Sequence, residues 1–513
     1  MAYDICLIRP PTVYAANNLT TMYTPPLGLA YVAGAIRAAG FKVQFIDSVG
    51  ESLDTRHEIS NETYYYGLSY DEIVEAIDPD TPIIGFTFNF SFEYPASRDL
   101  ASYVRKKFPN ALFVGGGEHV TALPNQTLNE SEMDVLVLGE GEETIVEFLK
   151  KYTENNLDYA QIEGIAYLNE TNDVVINPRR PRKRELDEIA WPAWDLVPVD
   201  KYMDRGYGFG VNRGRSIPLL ASRGCPYQCT FCSNPSMWTT RWDARDPDSV
   251  LDEMQYYQDR YSAKNFDFFD LTAIVEKSWI VSFCNKIQER GMKFTWQLPS
   301  GTRTEAIDLE VAELLYKSGC RNMSYSPESG SPSVLERIKK KIHPDTFITS
   351  IAAGNKVGIN IKCNIMLGFP NETYSEVFDS YKYIVRLAMA GAYDLSVWAF
   401  SPYPGSELFR EIKENTGEVL DDNYFNSLRS YADRWATVSY SKNFSDSRLR
   451  KLRITAVLLF YCVSFMVRPN RPFKIIWNLF SGKQESRAEQ GMVNLIRRNQ
   501  MKPRNEVSTG TPS

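Results

Sequence analysis

The sequence predicts two α/β units in series: a doubly wound, Rossmann-like sheet, then a partial (β/α)6 barrel, followed by a helical C-terminal region. Three observations carry this prediction. Five short apolar runs alternate with amphipathic ones over residues 1–150, and six more do so over residues 211–405. A chain of 513 residues exceeds what one compact core needs. Residues 151–210 then form a linker and residues 406–513 the helical region.

In the first unit YDICLIRP, KVQFID, PIIGFTF, ALFVGGG and DVLVLGEG read as strands. LGLAYVAGAIRAAG, SYDEIVEAI, ASRDLASYVRKKF and GEETIVEFLKKY read as helices between or after them. Strands alternating with helices imply a parallel sheet, whose ligands sit beyond the carboxyl ends of the strands. The residues expected there are Thr87, Gly115, Gly116, Gly117, His119, Gly139 and Gly141. Glycines let a backbone approach a large flat ligand. Taken singly each is also an ordinary turn residue, and a lone histidine an ordinary loop hydrogen-bonder.

The linker holds a hairpin pattern, IEGIAYL and VVINP around NETND. Its basic run RRPRKR lacks interleaved aromatics and reads as exposed linker rather than nucleic-acid surface. The whole chain, with 57 Lys and Arg against 64 Asp and Glu, has a net charge of −7, which also argues against a nucleic-acid partner.

In the central unit SIPLLAS, NFDFFD, KFTWQL, NMSYSP, NIKCNIML and YDLSVWAF read as strands, with helical patterns between them. The loop leaving the first of these strands is RGCPYQCTFCSNP, with Cys225, Cys229 and Cys232. In a barrel of this kind that loop lies at the catalytic end of the strands. A structural zinc site takes four ligands, and no fourth Cys or His lies nearby. Three thiolates on a four-iron cluster instead leave one iron open to a cosubstrate. The other five cysteines are scattered, and a disulfide framework is not expected; the N-terminus lacks a leader pattern, so a reducing cytoplasm is the expected compartment.

In the C-terminal region the uncharged run Ile454–Val467 has 14 residues, short of the about 20 that a bilayer span needs. Basic residues flank it. Two readings stay open: a core helix capping the barrel, and a peripheral membrane contact at the lipid interface.

Cys-x3-Cys-x2-Cys with Phe231 before the last cysteine resembles the signature of the radical S-adenosylmethionine superfamily. FDFFDLT, YSPESGSPSVLERIKKK and NIMLGFPNET resemble its later strand motifs. PPLGLAYVAGAIRAAGFKVQFIDS, VGGGEHVTALP and DVLVLGEGEET resemble the cobalamin-binding domain found at the N-terminus of many of its members. LDEIAWPAWDLVPVDKY resembles the linker between the two, whose Pro and Trp residues would pin the domains together. The resemblance implies a [4Fe-4S] cluster on the three cysteines, and S-adenosylmethionine held near Asp270, Glu328, Ser329, Ile365, Gly368 and Glu372, with Phe369 beside the adenine. It implies cobalamin over the glycine-rich edge of the first unit. The stretch after the second strand, IDSVGE, lacks the histidine of the Asp-x-His-x-x-Gly motif, which implies a cobalt without a protein imidazole below it. The activity implied is methyl transfer to an unactivated carbon of a small hydrophobic substrate, fed by an external flavodoxin- or ferredoxin-type electron donor. A radical cyclase of the anaerobic porphyrin type and a non-catalytic sensor are the alternatives. Tyr403 and Pro404, in WAFSPYPGSELF, would face the substrate.

Overall fold

Ile5 and Leu7 point to one side of a strand and Cys6 and Ile8 to the other, and all four are buried. A strand apolar on both faces belongs inside a parallel sheet covered on both sides. The computed structural model, which describes residues 3–15, 23–60, 63–431 and 437–499, has that arrangement. Strands β1 (Ile5–Arg9), β2 (Val43–Asp47), β3 (Ile83–Thr87), β4 (Leu112–Gly116) and β5 (Val135–Val137) are parallel. The connector hairpin, β6 (Ile165–Leu168) and β7 (Val174–Ile176), adds to this sheet antiparallel, giving the order β7-β6-β5-β4-β3-β1-β2. Ile5 and Leu7 pack with Ala33, Ile36, Ile145 and Phe148 of helices Leu27–Ala38 and Glu142–Thr153. Cys6 and Ile8 pack with Ile73, Leu100 and Val104 of helices Tyr70–Ala76 and Tyr94–Lys107. A small antiparallel sheet of Thr12–Ala15, Thr63–Tyr66 and Arg56–Ser60, not foreseen in the sequence, stands beside the main one. Its Tyr14 and Tyr66 pack against Tyr23.

The second sheet has six parallel strands in sequential order: β8 (Ser216–Leu219), β9 (Asn265–Phe268), β10 (Thr295–Thr302), β11 (Cys320–Glu328), β12 (Asn360–Leu367) and β13 (Asp394–Ala399). On β12 the residues Ile361, Cys363, Ile365 and Leu367 join the apolar core. By the period-2 rule Asn360, Lys362, Asn364 and Met366 face the other way, into the lumen. Ile365, expected beside the adenine, therefore has its side chain among the surrounding core groups instead.

The linker does pin the two units. Trp194 is fully buried in one cluster with Tyr31 of the first unit and Leu251 of the second. The Ala193 N–H also donates to Ala30 O at 2.9 Å.

Helix Asp446–Val467, capped by Ser445, packs along helix Tyr374–Ala390 and β13, burying Leu449, Ala456 and Phe460. Its Arg453 is 2% exposed and donates to Val397 O at 3.1 Å, Tyr431 O at 3.0 Å and Thr437 Oγ1 at 2.6 Å. This is the core-helix reading of the apolar run. Among the described residues no single helix is long and apolar enough to cross a membrane. Replacing Arg453 by Met strands these buried acceptors. Arg453→Met is expected to lower the unfolding free energy by about 2–4 kcal/mol, read from the urea midpoint.

Candidate functional site

The cysteine loop leaves β8 through Ser222–Arg223, which pairs antiparallel with Asp243–Ala244. Gly224 makes the turn with φ +87°, and a Cβ there would lie 2.0 Å from Arg241 O, so only glycine fits. The loop is closed by one internal hydrogen bond and tied to its surroundings by two more. Cys232 N–H donates to Cys229 O at 3.1 Å, Thr230 N–H to Ile338 O at 3.1 Å, and Leu408 N–H to Thr230 O at 2.9 Å. Phe231 packs on Phe369, with ring centroids 6.0 Å apart. Burial raises the thiols of Cys225 and Cys229 and pushes that of Cys232 up to about 12. Without a metal they are protonated, and binding one releases their protons.

Asp270 is buried, and its carboxylate accepts from Ala221 N–H at 3.2 Å and Ser222 Oγ at 2.5 Å. Burial pushes its pKa up to about 6. Expected to contact the cosubstrate, Asp270 is instead engaged in holding the exit of β8. Glu328 ends β11 at φ +65°, a left-handed conformation that a non-glycine residue rarely holds. It accepts from Lys340 Nζ at 3.0 Å, and Lys340 also acts on the Cys229 thiol. Ser329 is fully buried, its hydroxyl bonded to Ser380 Oγ at 3.1 Å and to Ser331 N–H. It shapes the loop and is not open to a ligand through its side chain. Glu372 takes Gly368 N–H at 2.6 Å on Oε2, and burial pushes its pKa up to about 7.

The carboxyl edge of the first sheet meets this loop. Gly117 has φ +123°, and a Cβ there would lie 2.6 Å from Phe88 O. The next residue, Glu118, accepts a hydrogen bond from Ser233, immediately after Cys232. Arg223, two residues before Cys225, reaches Glu142 at 2.6 Å and Glu140 at 3.2 Å, with side chains no more than 12% exposed. Burial opposes ionisation of Glu142, but the Arg223 guanidinium outweighs it and holds the carboxyl below its usual range. Arg182 donates to Trp238 O at 2.8 Å and Arg241 O at 2.7 Å and pairs with Glu140 at 3.6 Å. The basic run is thus exposed in part, at Arg179, Pro181 and Arg184, and in part taken up by the fold. Arg182 is 8% exposed, and Arg179 bonds Ser236 O at 2.7 Å.

Thr87, Gly116 and Gly139 lie at the strand ends as expected. Thr87 bonds Asn89 at 3.0 Å, a Cβ on Gly116 would meet open space, and Gly139 N–H donates to Thr121 Oγ1 at 3.0 Å. Gly115 does not face a ligand. A Cβ there would press on Leu136 at 2.8 Å, within the sheet's packing. His119 is fully buried, stacked on Tyr94 at 4.2 Å and edge-on to Phe425, with Nδ1 on Ser91 Oγ at 3.0 Å. Burial lowers its pKa to about 3, so it is neutral. It belongs to the seam where residues after the barrel pack on the first unit. At the end of β2, Asp47 accepts from Tyr202 Oη at 2.8 Å and pairs with Arg9 at 3.3 Å, in the stretch that lacks an axial imidazole.

The donors fit a cluster better than a lone ion. Among the described residues no three His, Cys, Asp or Glu side chains converge as the ligands of one metal ion do. A four-iron cluster takes each thiolate on a different iron, not at a single convergence point. Thr230 Oγ1, Asn234 Oδ1, Glu372 Oε1 and Ser401 Oγ are buried without a hydrogen-bond partner along the same edge. Buried polar atoms of this kind mark where a ligand would bond.

The comparisons agree with this geometry. Residues 219–384 match the radical SAM superfamily and residues 17–149 the B12 binding domain. An uncharacterized methyltransferase of Pyrococcus horikoshii is 31% identical over 89% of this chain and 92% of its own length. The cytidylyl-2-hydroxyethylphosphonate methyltransferase of Streptomyces wedmorensis is 27% identical over 79% and 81%. The anaerobic magnesium-protoporphyrin IX monomethyl ester cyclase of Cereibacter sphaeroides is 27% identical over 78% and 62%. The solved structure of OxsB, a cobalamin-dependent S-adenosylmethionine radical enzyme with aqua-cobalamin and S-adenosylmethionine bound, has the same fold. Its TM-score is 0.68 at 15% identity, covering 98% of this chain and 79% of that one.

Gly224→Ala should displace the cysteine loop without touching the first unit. Iron and sulfide bound after anaerobic reconstitution should fall severalfold, while cobalamin retention stays at the level of the unaltered protein.

Proposed function

Because the chain belongs to the cobalamin-binding branch of the radical SAM superfamily, we propose that it transfers a methyl group to an unactivated carbon of a small molecule. The observation that carries this reading is the meeting of two edges: the cysteine loop and the glycine-rich strand ends share the Glu118–Ser233 and Arg223–Glu140/Glu142 contacts. When bound, the cluster supplies the electron that cleaves S-adenosylmethionine, and cobalamin carries the methyl group. Cys225, Cys229 and Cys232 are the residues that would hold the cluster. Gly116, Gly117, Thr87 and Gly139 form the edge on which cobalamin would lie.

The protein's own part is positioning and shielding. Phe231, Phe369 and Phe400 form an aromatic wall behind the cysteine loop. Such a wall keeps water from a reactive carbon. The lumen bears on the substrate's chemistry. Asn364 Nδ2 donates to Ser326 Oγ at 3.1 Å and its Oδ1 accepts from Trp398 Nε1 at 3.2 Å; Lys362 lies 5.3 Å over the Trp398 ring. A lining of amide, hydroxyl, ammonium and indole favours a substrate with hydrogen-bonding or anionic groups beside its apolar carbon, over a bare hydrocarbon. The phosphonate-methylating relative has such a substrate by name.

A ring-forming reaction without methyl transfer is the second reading, favoured by the cyclase relative. An external low-potential flavodoxin or ferredoxin would serve either reaction. The test is anaerobic turnover of reconstituted enzyme with substrate candidates. Methyl transfer is expected to give S-adenosylhomocysteine and 5′-deoxyadenosine together, and cyclisation only the latter. The variant with Cys225, Cys229 and Cys232 all changed to Ala should give neither product. Failure of the reduced, cluster-loaded wild type to cleave S-adenosylmethionine at all would favour a sensor.

A further inference from the structure

Helix Asn470–Ser481 is turned inside out. Its inward face carries Arg471 and Asn478, 6% and 3% exposed. Its outward face carries Phe473, Ile476, Trp477 and Phe480, between 52% and 87% exposed. The spacing i, i+3, i+4, i+7 makes these four one stripe. On an ordinary surface helix the stripe faces the core. Here the polar residues do so, because they have partners there. Arg471 donates to Ala392 O at 2.7 Å and Gly391 O at 2.8 Å, and Asn478 to Glu489 at 3.1 Å. The fold therefore fixes the helix with its aromatic stripe toward solvent. Met466, 72% exposed, extends the patch just before a 105° bend that sets this helix across the end of Asp446–Val467.

We propose that this stripe is an interfacial anchor that seats the protein on an anionic phospholipid surface. Charge supports lipid as the occupant. From Ser447 to Gln484 the chain has eight Lys and Arg, of which Arg453 and Arg471 are buried, and no Asp or Glu, although its net charge is −7. Lys474 and Lys483 are exposed beside the stripe, Lys474 being paired with Glu485 at 2.6 Å. An aromatic and aliphatic stripe flanked by lysines is the pattern of a helix lying in the headgroup layer. A 12-residue helix is too short to span, so the contact is peripheral.

The anchor sits far from the chemistry. Arg471 bonds the loop that enters β13, and Glu485 O accepts from Asn322 and Asn360, at the starts of β11 and β12. These are the amino ends of the barrel strands; the cysteine loop is at the carboxyl ends. Membrane seating therefore leaves the mouth of the site facing away from the bilayer, and it does not require a lipid substrate. The proposal stands independently of the methyl-transfer reading.

The test is flotation of the full-length protein with vesicles of phosphatidylcholine alone or mixed with phosphatidylglycerol, alongside its solution mass. The protein should float with the mixed vesicles and much less with phosphatidylcholine, and high salt should weaken binding. The double variant Trp477→Ser/Phe480→Ser should reduce flotation at least about tenfold with S-adenosylmethionine cleavage unchanged. Lys474→Glu/Lys483→Glu provides an independent arm, reducing only the phosphatidylglycerol-dependent part. The idea fails if the wild type does not float on mixed vesicles, or floats equally on both kinds. It also fails if the protein is a dimer that Trp477→Ser/Phe480→Ser returns to monomer, since a second copy would then be the occupant.

Discussion

A buried guanidinium holds the two halves of this protein to one another. Arg223 leaves the end of the first barrel strand and lies between Glu140 and Glu142, beyond the last parallel strand of the first sheet. Moving these charges out of water is costly, so the pair is poor evidence for stability as such. Its value is register. Arg223 is continuous with Gly224 and Cys225, so fixing its side chain fixes the start of the cysteine loop. Ser233, on the other side of the three cysteines, is fixed to Glu118. The cysteine loop is thus gripped at both ends by the domain that would carry cobalamin.

A lumen enclosed at its other end follows from the same economy of buried polar groups. At the amino ends of the strands Asp267 accepts from Gln297 Nε2 at 2.6 Å, and Gln297 takes Val211 N–H at 2.9 Å. Arg487 bonds Gly210 O at 2.8 Å, and its backbone N–H bonds Asp394 at 2.7 Å. Gln297, Asp394 and the Gly210 carbonyl in this floor are thus bonded by the segments before and after the barrel.

The fold was largely legible in the sequence because its signal is periodic. Buried parallel strands are short apolar runs, and the helices between them carry apolar stripes. The cysteine loop was legible because three thiolates at tight spacing have few other uses. What escaped notice depends on side-chain direction and on distant partners. Ile365 was placed beside a ligand when the alternation within NIKCNIML already put it on the opposite face from Asn364. Gly115 and Gly116 are neighbours, yet one packs against Leu136 and only the other borders open space. His119 is taken up by Tyr94 and by Phe425, which lies hundreds of residues away in sequence. The run RRPRKR gave no hint that carboxylates and carbonyls of both units would claim it. The outward stripe of Asn470–Ser481 was visible as apolar spacing, but not that Arg471 and Asn478 would take the inward face.

The contacts between them place the cysteine loop and the glycine-rich edge at one shared reaction space, as proposed above. Electron paramagnetic resonance of the full chain, loaded with cobalt(II) cobalamin and then with the reduced cluster as well, tests this most directly. The two paramagnets should broaden or split each other's signals, and Arg223→Ala should weaken that coupling. Two spectra that merely add, as from centres too far apart to sense one another, would contradict it.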